Sequence, residues 1–253
     1  MTTVLSGKPT FGAGRVFATA NIANPTPARA LVPQSQSIDF KRKVESLFGE
    51  QQLAVAAGAG SMEVTGKVEY SKSVARIMSD ILFGDSGTTG SYAEADKESG
   101  TVAATTPYII TVANSATWQF DLGVVNAVTG AIYSRVAGGS EVLGKSYSVA
   151  AGAYTFAAGD EGVNMLISYA YSVSTSGETI NLANQNQGLT GSFTAVHVLP
   201  WGNEQDMYVF DSCIASSSSL SAKQSGFGSQ TLEYTAFVNG SNTLGTATFA
   251  EAA

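Results

Sequence analysis

Residues 38–84 read as two strands followed by a helix, and that succession constrains the rest of the chain more than any other stretch. In Ile38-Asp39-Phe40-Lys41-Arg42-Lys43-Val44-Glu45 the odd positions are all charged, while the even ones are Ile, Phe, Arg and Val. This is the period-2 pattern of a half-buried strand, with Arg42 as its one exception. The pattern returns in Met62-Glu63-Val64-Thr65-Gly66-Lys67-Val68-Glu69-Tyr70, where Gly66 alone interrupts the apolar even positions. Two strands of matching length and matching faces can pair. The period then changes: Val74, Ile77, Met78, Ile81 and Leu82 fall at i, i+3, i+4, i+7 and i+8, one apolar stripe along a helix. Ser71 or Ser73 can cap its start and Gly84 can end it. A two-stranded ribbon is marginal alone in water, so its apolar face has to be buried against the helix, further strands or other subunits.

Between the two strands, residues 47–61 carry Leu53 and Val55 among glycines and alanines. They are too long for a tight hairpin turn and too apolar for an idle solvent loop, and both a contact surface and a disordered loop fit. Residues 1–36 read as an extended N-terminal arm, broken by Pro9, Pro25, Pro27 and Pro33, with one short strand at Arg15-Val16-Phe17-Ala18. After the helix, residues 84–100 are turn-rich and lead into a linker at 101–107. From Tyr108 the texture changes to short aromatic strands separated by turns such as Val128-Thr129-Gly130 and Ala151-Gly152, up to a second linker at 172–177. Residues 101–177 are thus expected as an inserted small β-sandwich domain. The core domain, 37–100 with 178–253, is completed by strands at 193–199, 205–214 and 231–238, a serine run Ser216-Ser217-Ser218-Ser219, and a terminal strand near 246–249. The class is mainly β, with one flanking α-helix.

A chain of 253 residues is long enough to bury a core without disulfides, and its one cysteine, Cys213, excludes an intramolecular disulfide and a multi-cysteine metal site. That usage fits a reducing compartment, and neither a secretory signal nor an apolar run of roughly 18 residues is present. The net charge of −7 is unevenly spread. Lys8, Arg15 and Arg29 are the only charges before Asp39, whereas eight acids face the single Lys223 after Lys145. Either the acidic surface is only solubilising, or the basic arm of one copy docks on the acidic face of another. Phosphate contacts need clustered Lys and Arg, so the balance argues against tight nucleic-acid binding.

Chemistry is sparse. The only histidine, His197, shares a strand face with Phe193, Ala195 and Leu199, a setting for a hydrogen-bonded core or interface residue more than for a base. Gly84-Asp85-Ser86-Gly87 has the look of a serine-protease nucleophile segment, but the glycine is followed by Thr88 and His197 lies downstream, so it reads as a helix stop and a turn. Gly12-Ala13-Gly14 lacks the third glycine and the flanking strand and helix of a dinucleotide fingerprint, and Cys213 has no basic cluster beside it. No H-x-x-x-H, phosphate loop or calcium ladder occurs. The expectation is no catalytic, cofactor-binding or metal site, and no enzyme.

Residues 40–50, then Lys67-Val68-Glu69-Tyr70 running into the helix, and Ala195-Val196-His197-Val198-Leu199-Pro200-Trp201-Gly202 resemble the major tail tube proteins of long-tailed bacteriophages. Residues 152–156 and 167–171 are similar to the small β-domains that such virion proteins carry. The resemblance implies a tail-tube-like β-sandwich or barrel core, copies assembled as hexameric rings and stacked as a tube, and a virion location after assembly in the host cytoplasm. Its implied partners are further copies of the chain, the other tail proteins (tape measure, terminator, baseplate or tip, and a sheath if the tail contracts), and viral DNA that passes without specific binding. Arg15, Arg29, Lys41, Arg42, Lys43 and Glu45 become candidate inter-subunit residues. Leu47, Phe48, Glu50, Leu53 and Val55 match the inter-ring loop, and Asp39, Glu63, Lys67 and Glu69 a lumen or salt-bridged face. The rival readings are a capsid decoration or other virion surface protein, and a cell-wall glycosidase, which would need two carboxylates roughly 5 to 10 Å apart.

Overall fold

The computed structural model describes residues 12–48, 50, 53–72, 74–84, 87–182, 191–201 and 204–249. Its strands are β1 (Arg15–Ala20), β2 (Ala28–Arg29), β3 (Leu31–Phe48), β4 (Ala54–Lys72), β5 (Thr88–Thr101), β6 (Ile109–Thr111), β7 (Trp118–Asn126), β8 (Ile132–Arg135), β9 (Ser146–Ala150), β10 (Ala153–Phe156), β11 (Asn164–Thr179), β12 (Phe193–Trp201), β13 (Glu204–Ser221), β14 (Ser229–Ala236) and β15 (Gly245–Thr248). The chain is mainly β and divides into two compact units, Met1–Gly87 with Ile180–Ala253, and Thr88–Thr179. Among the described residues no helix is long and apolar enough to cross a membrane.

In the first unit the strand order is β2-β1-β12-β13-β14-β4-β3, with β15 also on β13, and all neighbours are antiparallel. Residues 12–36 are therefore not a separate arm: β1 sits between β2 and β12, and β3 begins at Leu31. Residues 1–11 of the expected arm lie outside the described residues. The serine run expected between strands lies inside β13, where Ser217, Ser218 and Ser219 pair with Glu233, Leu232 and Thr231. The sheet curls on itself, since Phe40 of β3 stands 6.3 Å from Phe210 of β13, a strand three places away in the order. Alternation drives this. In β14 every second residue is buried, ending in Leu232, Tyr234 and Ala236, and β4 contributes Val64, Val68 and Tyr70 to the same core.

The one longer helix, α1 (Ile77–Phe83), packs on β13 and β1 and buries Ile77 and Ile81, with Val74 and Leu82 against the same cluster. Four of the five expected stripe residues meet this core, but Met78 is not among them and Ser79 is buried instead, because the winding differs from the expected one. The helix is a wide π turn, closed by the Gly84 N–H to the Ser79 carbonyl with Gly84 in the left-handed region at φ 62°. Ser71 is part of β4 and cannot cap it, Ser73 is outside the described residues, and no side chain caps Arg76. A helix this short does not persist alone, so burial of its two isoleucines, worth about 2 kcal/mol each, is what holds it.

Gly66, the gap in the apolar pattern of β4, has a physical cause. It lies opposite Tyr234 in the register, and a Cβ built on it would come 2.1 Å from Cζ of the Tyr234 ring. That ring is fully buried and held by its own hydroxyl, so it cannot swing aside. Gly66→Ala is expected to cost about 3 kcal/mol by overpacking, read as a lower urea midpoint. An unchanged midpoint would show that the ring moves freely.

The second unit is a curled sheet in the order β5-β11-β7-β8-β9-β10-β6, antiparallel except for β8 with β9. Its core is aromatic, with Tyr133, Tyr147, Tyr154, Phe156 and Tyr169 beside Val124, Met165 and Ile167. Each buried hydroxyl has an acceptor, as burial of a tyrosine requires. Tyr147 and Tyr154 donate to Asp121 (2.6 and 3.1 Å), Tyr169 to Glu98 (2.6 Å) and Tyr133 to Asp160 (3.3 Å). The expected borders at 101 and 177 differ from those of this unit. Residues 88–101, within the stretch expected as turn-rich, form β5, paired with β11 along its length, and 172–177, expected as the second linker, continue β11. The unit begins and ends on a cross-strand pair, Thr88 opposite Thr179. β5 is also an outer edge. It carries Glu94, Asp96 and Lys97, and Lys97 sits in the left-handed region (φ 55°) at a register shift that bends the edge away from further pairing.

Candidate assembly surface

β3 and β4 pair from Leu31 with Lys72 to Phe48 with Ala54, far beyond the end of β14, which stops opposite Val64. The stretch expected as a long loop at 47–61 is thus mostly strand. Residues 54–61 are the outer half of β4, and the connection is confined to 49–53, of which 49, 51 and 52 lie outside the described residues. Along β4 the alternation of buried and exposed residues holds from Val64 onward and ceases before it, where every residue from Ala54 to Glu63 is exposed. The outer half of the hairpin is a bare two-stranded ribbon.

The apolar side of β3 nevertheless continues along it. Ile38 packs on the core, and Phe40 (52% exposed) and Val44 (62%) follow on the same face, with Met62 across from Arg42. Leu47 and Phe48 are exposed at the end of β3, with Leu53 (82%) and Val55 just beyond, and Glu50 is exposed too. None of the described residues covers this stripe, which in an isolated ribbon would be unstable. Near the tip, Glu45, Ser46, Leu47, Ala56, Ala57 and Gly58 bound a shallow hollow of about 630 Å³.

The charged residues divide by place. Lys41 lies across from Glu63, Lys43 pairs with Glu45 (2.7 Å), and Arg42 donates to Met62 Sδ (3.6 Å). These belong to the ribbon. Arg15 and Arg29 do not join them. They lie at the other end of the strand order, where Arg15 donates to Gln205 (3.2 Å) and Arg29 stacks over the Phe17 ring at 5.8 Å. Asp39, Glu63, Lys67 and Glu69 share the outer face of the curled sheet. There Lys67 pairs with Glu233 (2.7 Å), Ser217 donates to Glu233, and Ser35 donates to Glu69. Their hydrogen bond raises the Lys67 pKa and lowers that of Glu233. Asp39, Lys67 and Glu233, together with Ser37, Thr65 and Ser216, bound a polar hollow of about 520 Å³. Glu233 was not singled out from the sequence, although it sits at an outward position of the alternating strand β14.

His197 is fully buried. Its Nδ1 is 2.6 Å from Gln36 Oε1 and its Nε2 is hydrogen-bonded to the Tyr234 hydroxyl, while Gln36 Nε2 donates to the Ala13 carbonyl. One polar chain therefore ties β3, β12, β14 and the segment before β1. Burial lowers the His197 pKa to about 4, so the ring is neutral near pH 7 and accepts the Tyr234 proton donor at Nε2. Cys213 is fully buried and its thiol is pushed up to about 12 by burial. Asp85 and Ser86 of the glycine-flanked motif lie outside the described residues. Among the described residues no group of three or more His, Cys, Asp or Glu is placed to hold a metal ion.

No protein-family model matches the chain, and no curated protein matches it in sequence, so its function has to be read from the ribbon and the sheet face themselves.

Proposed function

We propose that the chain is a structural subunit that polymerises through its ribbon, in the role of the tail tube protein of a long-tailed bacteriophage. The observation that carries this reading is the outer half of the β3–β4 hairpin, long, apolar on one side and left uncovered by the described residues. Among the described residues β3, 18 residues long, has no strand on its second edge, which leaves backbone groups that a neighbouring copy can satisfy. Six copies per ring and stacking of rings follow from the family resemblance, as do the sandwich or barrel character of the core and of the second unit, the other tail proteins as partners, and the virion location. The outer face of β3, β4 and β14 suits a conduit wall: Lys67 is paired with Glu233, Lys43 with Glu45, and Lys41 lies across from Glu63, so each lysine sits beside a carboxylate and passing DNA finds no continuous phosphate track.

Negative-stain microscopy and light scattering of the purified protein test the reading. Rings or tubes are expected, and a monomer at every concentration would overturn it in favour of a capsid decoration protein. The charged part of the ribbon gives a second expectation. The double change Lys41→Glu and Lys43→Glu removes the partners of Glu63 and Glu45 and leaves like charges together, so assembly should weaken most at low salt and recover as salt screens the repulsion. Equal assembly at all salt concentrations would show that both lysines are merely solvated.

A further inference from the structure

The exposed tip of the ribbon has a counterpart elsewhere on the same chain. Where β3 leaves the body of the sheet, an open groove of about 420 Å³ is walled by Ile38, Phe40, Leu199 and Tyr208, with Gln36 and His197 at its polar end. Both nitrogens of His197 and both amide atoms of Gln36 are already engaged, so that end has little to offer a polar ligand. The walls are aromatic and aliphatic, and Phe40 is half exposed although its ring reaches Phe210. Such a groove suits an apolar side chain. At the far end of the ribbon stand Phe48 and Leu53, 62% and 82% exposed.

Resting on the assembly reading above, we propose that Leu53 and Phe48 of one copy seat in the Ile38–Phe40–Leu199–Tyr208 groove of the next copy. The tip of the ribbon cannot reach the groove of its own chain. From Phe40 to Phe48 β3 advances about 26 Å at about 3.3 Å per residue, and continuous pairing with β4 keeps it from folding back. The exposure of Leu53 and Phe48 agrees, because a tip seated in its own groove would be covered. Knob and groove are different patches of one surface, so the contact is heterologous and repeats from copy to copy without closing a two-fold pair. Occupation would also cover the exposed part of Phe40, the first residue of the uncovered apolar stripe.

The test uses two complementary blocks in the full chain. Leu53→Asp spoils the knob, and Leu199→Trp fills the groove. Each variant alone is expected to remain folded by circular dichroism but to stop short of long assemblies. When the two are prepared separately and mixed, the intact groove of the first accepts the intact tip of the second, so the particle mass by light scattering should double and growth should stop at one joint. An independent variant, Leu53→Cys with Leu199→Cys, should give a ladder of oxidised multimers on a non-reducing gel, since the buried Cys213 does not compete. Folded Leu199→Trp that assembles like the wild type, or assembled double-cysteine protein that gives no ladder, would overturn the groove while leaving the assembly reading intact. A wild type that never assembles would overturn both.

Discussion

Acidification from pH 7 to pH 4 is expected to remove about 3 kcal/mol from the stability of the first unit through His197 alone. The folded protein holds this ring at a pKa of about 4, against 6.5 for the free side chain, because burial disfavours the imidazolium. Between those values the unfolded chain binds more protons than the folded one, so stability rises with pH through this window. The contribution is complete above about 6.5, falls as pH drops toward 4, and is flat below it. The difference of about 2.5 units at about 1.36 kcal/mol per unit sets the size. Protonation would also place a donor at Nε2 against the Tyr234 hydroxyl, which must then give up its role as donor. Urea unfolding at closely spaced pH values checks this, with His197→Gln as the control. The control should be less stable at pH 7, because one amide group cannot replace the two opposed ring nitrogens that bridge Gln36 and Tyr234, and should lack this part of the slope. Equal slopes in both proteins would refute the buried neutral histidine.

Excision of Thr88–Thr179 is expected to leave two proteins that each fold. The entering and leaving residues are register partners, joined also by the Thr88 hydroxyl to the Thr179 carbonyl at 3.4 Å. Paired positions lie about 5 Å apart, so a few Gly and Ser residues can bridge Gly87 to Ile180. Each unit has its own core, aromatic with tyrosine–carboxylate bonds in the second and built on β4, β12, β13 and β14 in the first. The remainder should melt cooperatively and still assemble, and the excised unit should melt cooperatively by itself. Aggregation of both fragments would mean that the two cores depend on each other.

The sequence made the inner half of the hairpin and the stripe of α1 readable because a core lies under them. Ile38, Val64, Val68, Ile77 and Ile81 are apolar for reasons of burial, and burial imposes a period. The outer half of β4 was unreadable for the opposite reason. With nothing above it, Ala54-Val55-Ala56-Ala57-Gly58-Ala59 need not alternate, and register shifts between Arg42 and Val44 and between Leu47 and Phe48 break the phase. β5 was lost in the same way, as an edge strand of small and charged residues with a shift near Lys97. The winding of α1 was not legible because five apolar residues fit a wide turn as well as a tight one. For His197 the apolar setting was legible, but its partners Gln36 and Tyr234 are brought to it by strands distant in sequence.

The pairing of Thr88 with Thr179 has a mechanical consequence. A pull that separates the two ends of the second unit loads the β5–β11 ladder one hydrogen bond at a time, starting from that pair, and opens it like a zip at low force. The ribbon is loaded differently. A pull on its tip draws β4 lengthwise along β14, and the ladder from Val64 opposite Ala236 to Tyr70 opposite Gln230 lies across the force, so its bonds share the load and must shear together. Under tension the ribbon is the cable and the second unit is the fuse.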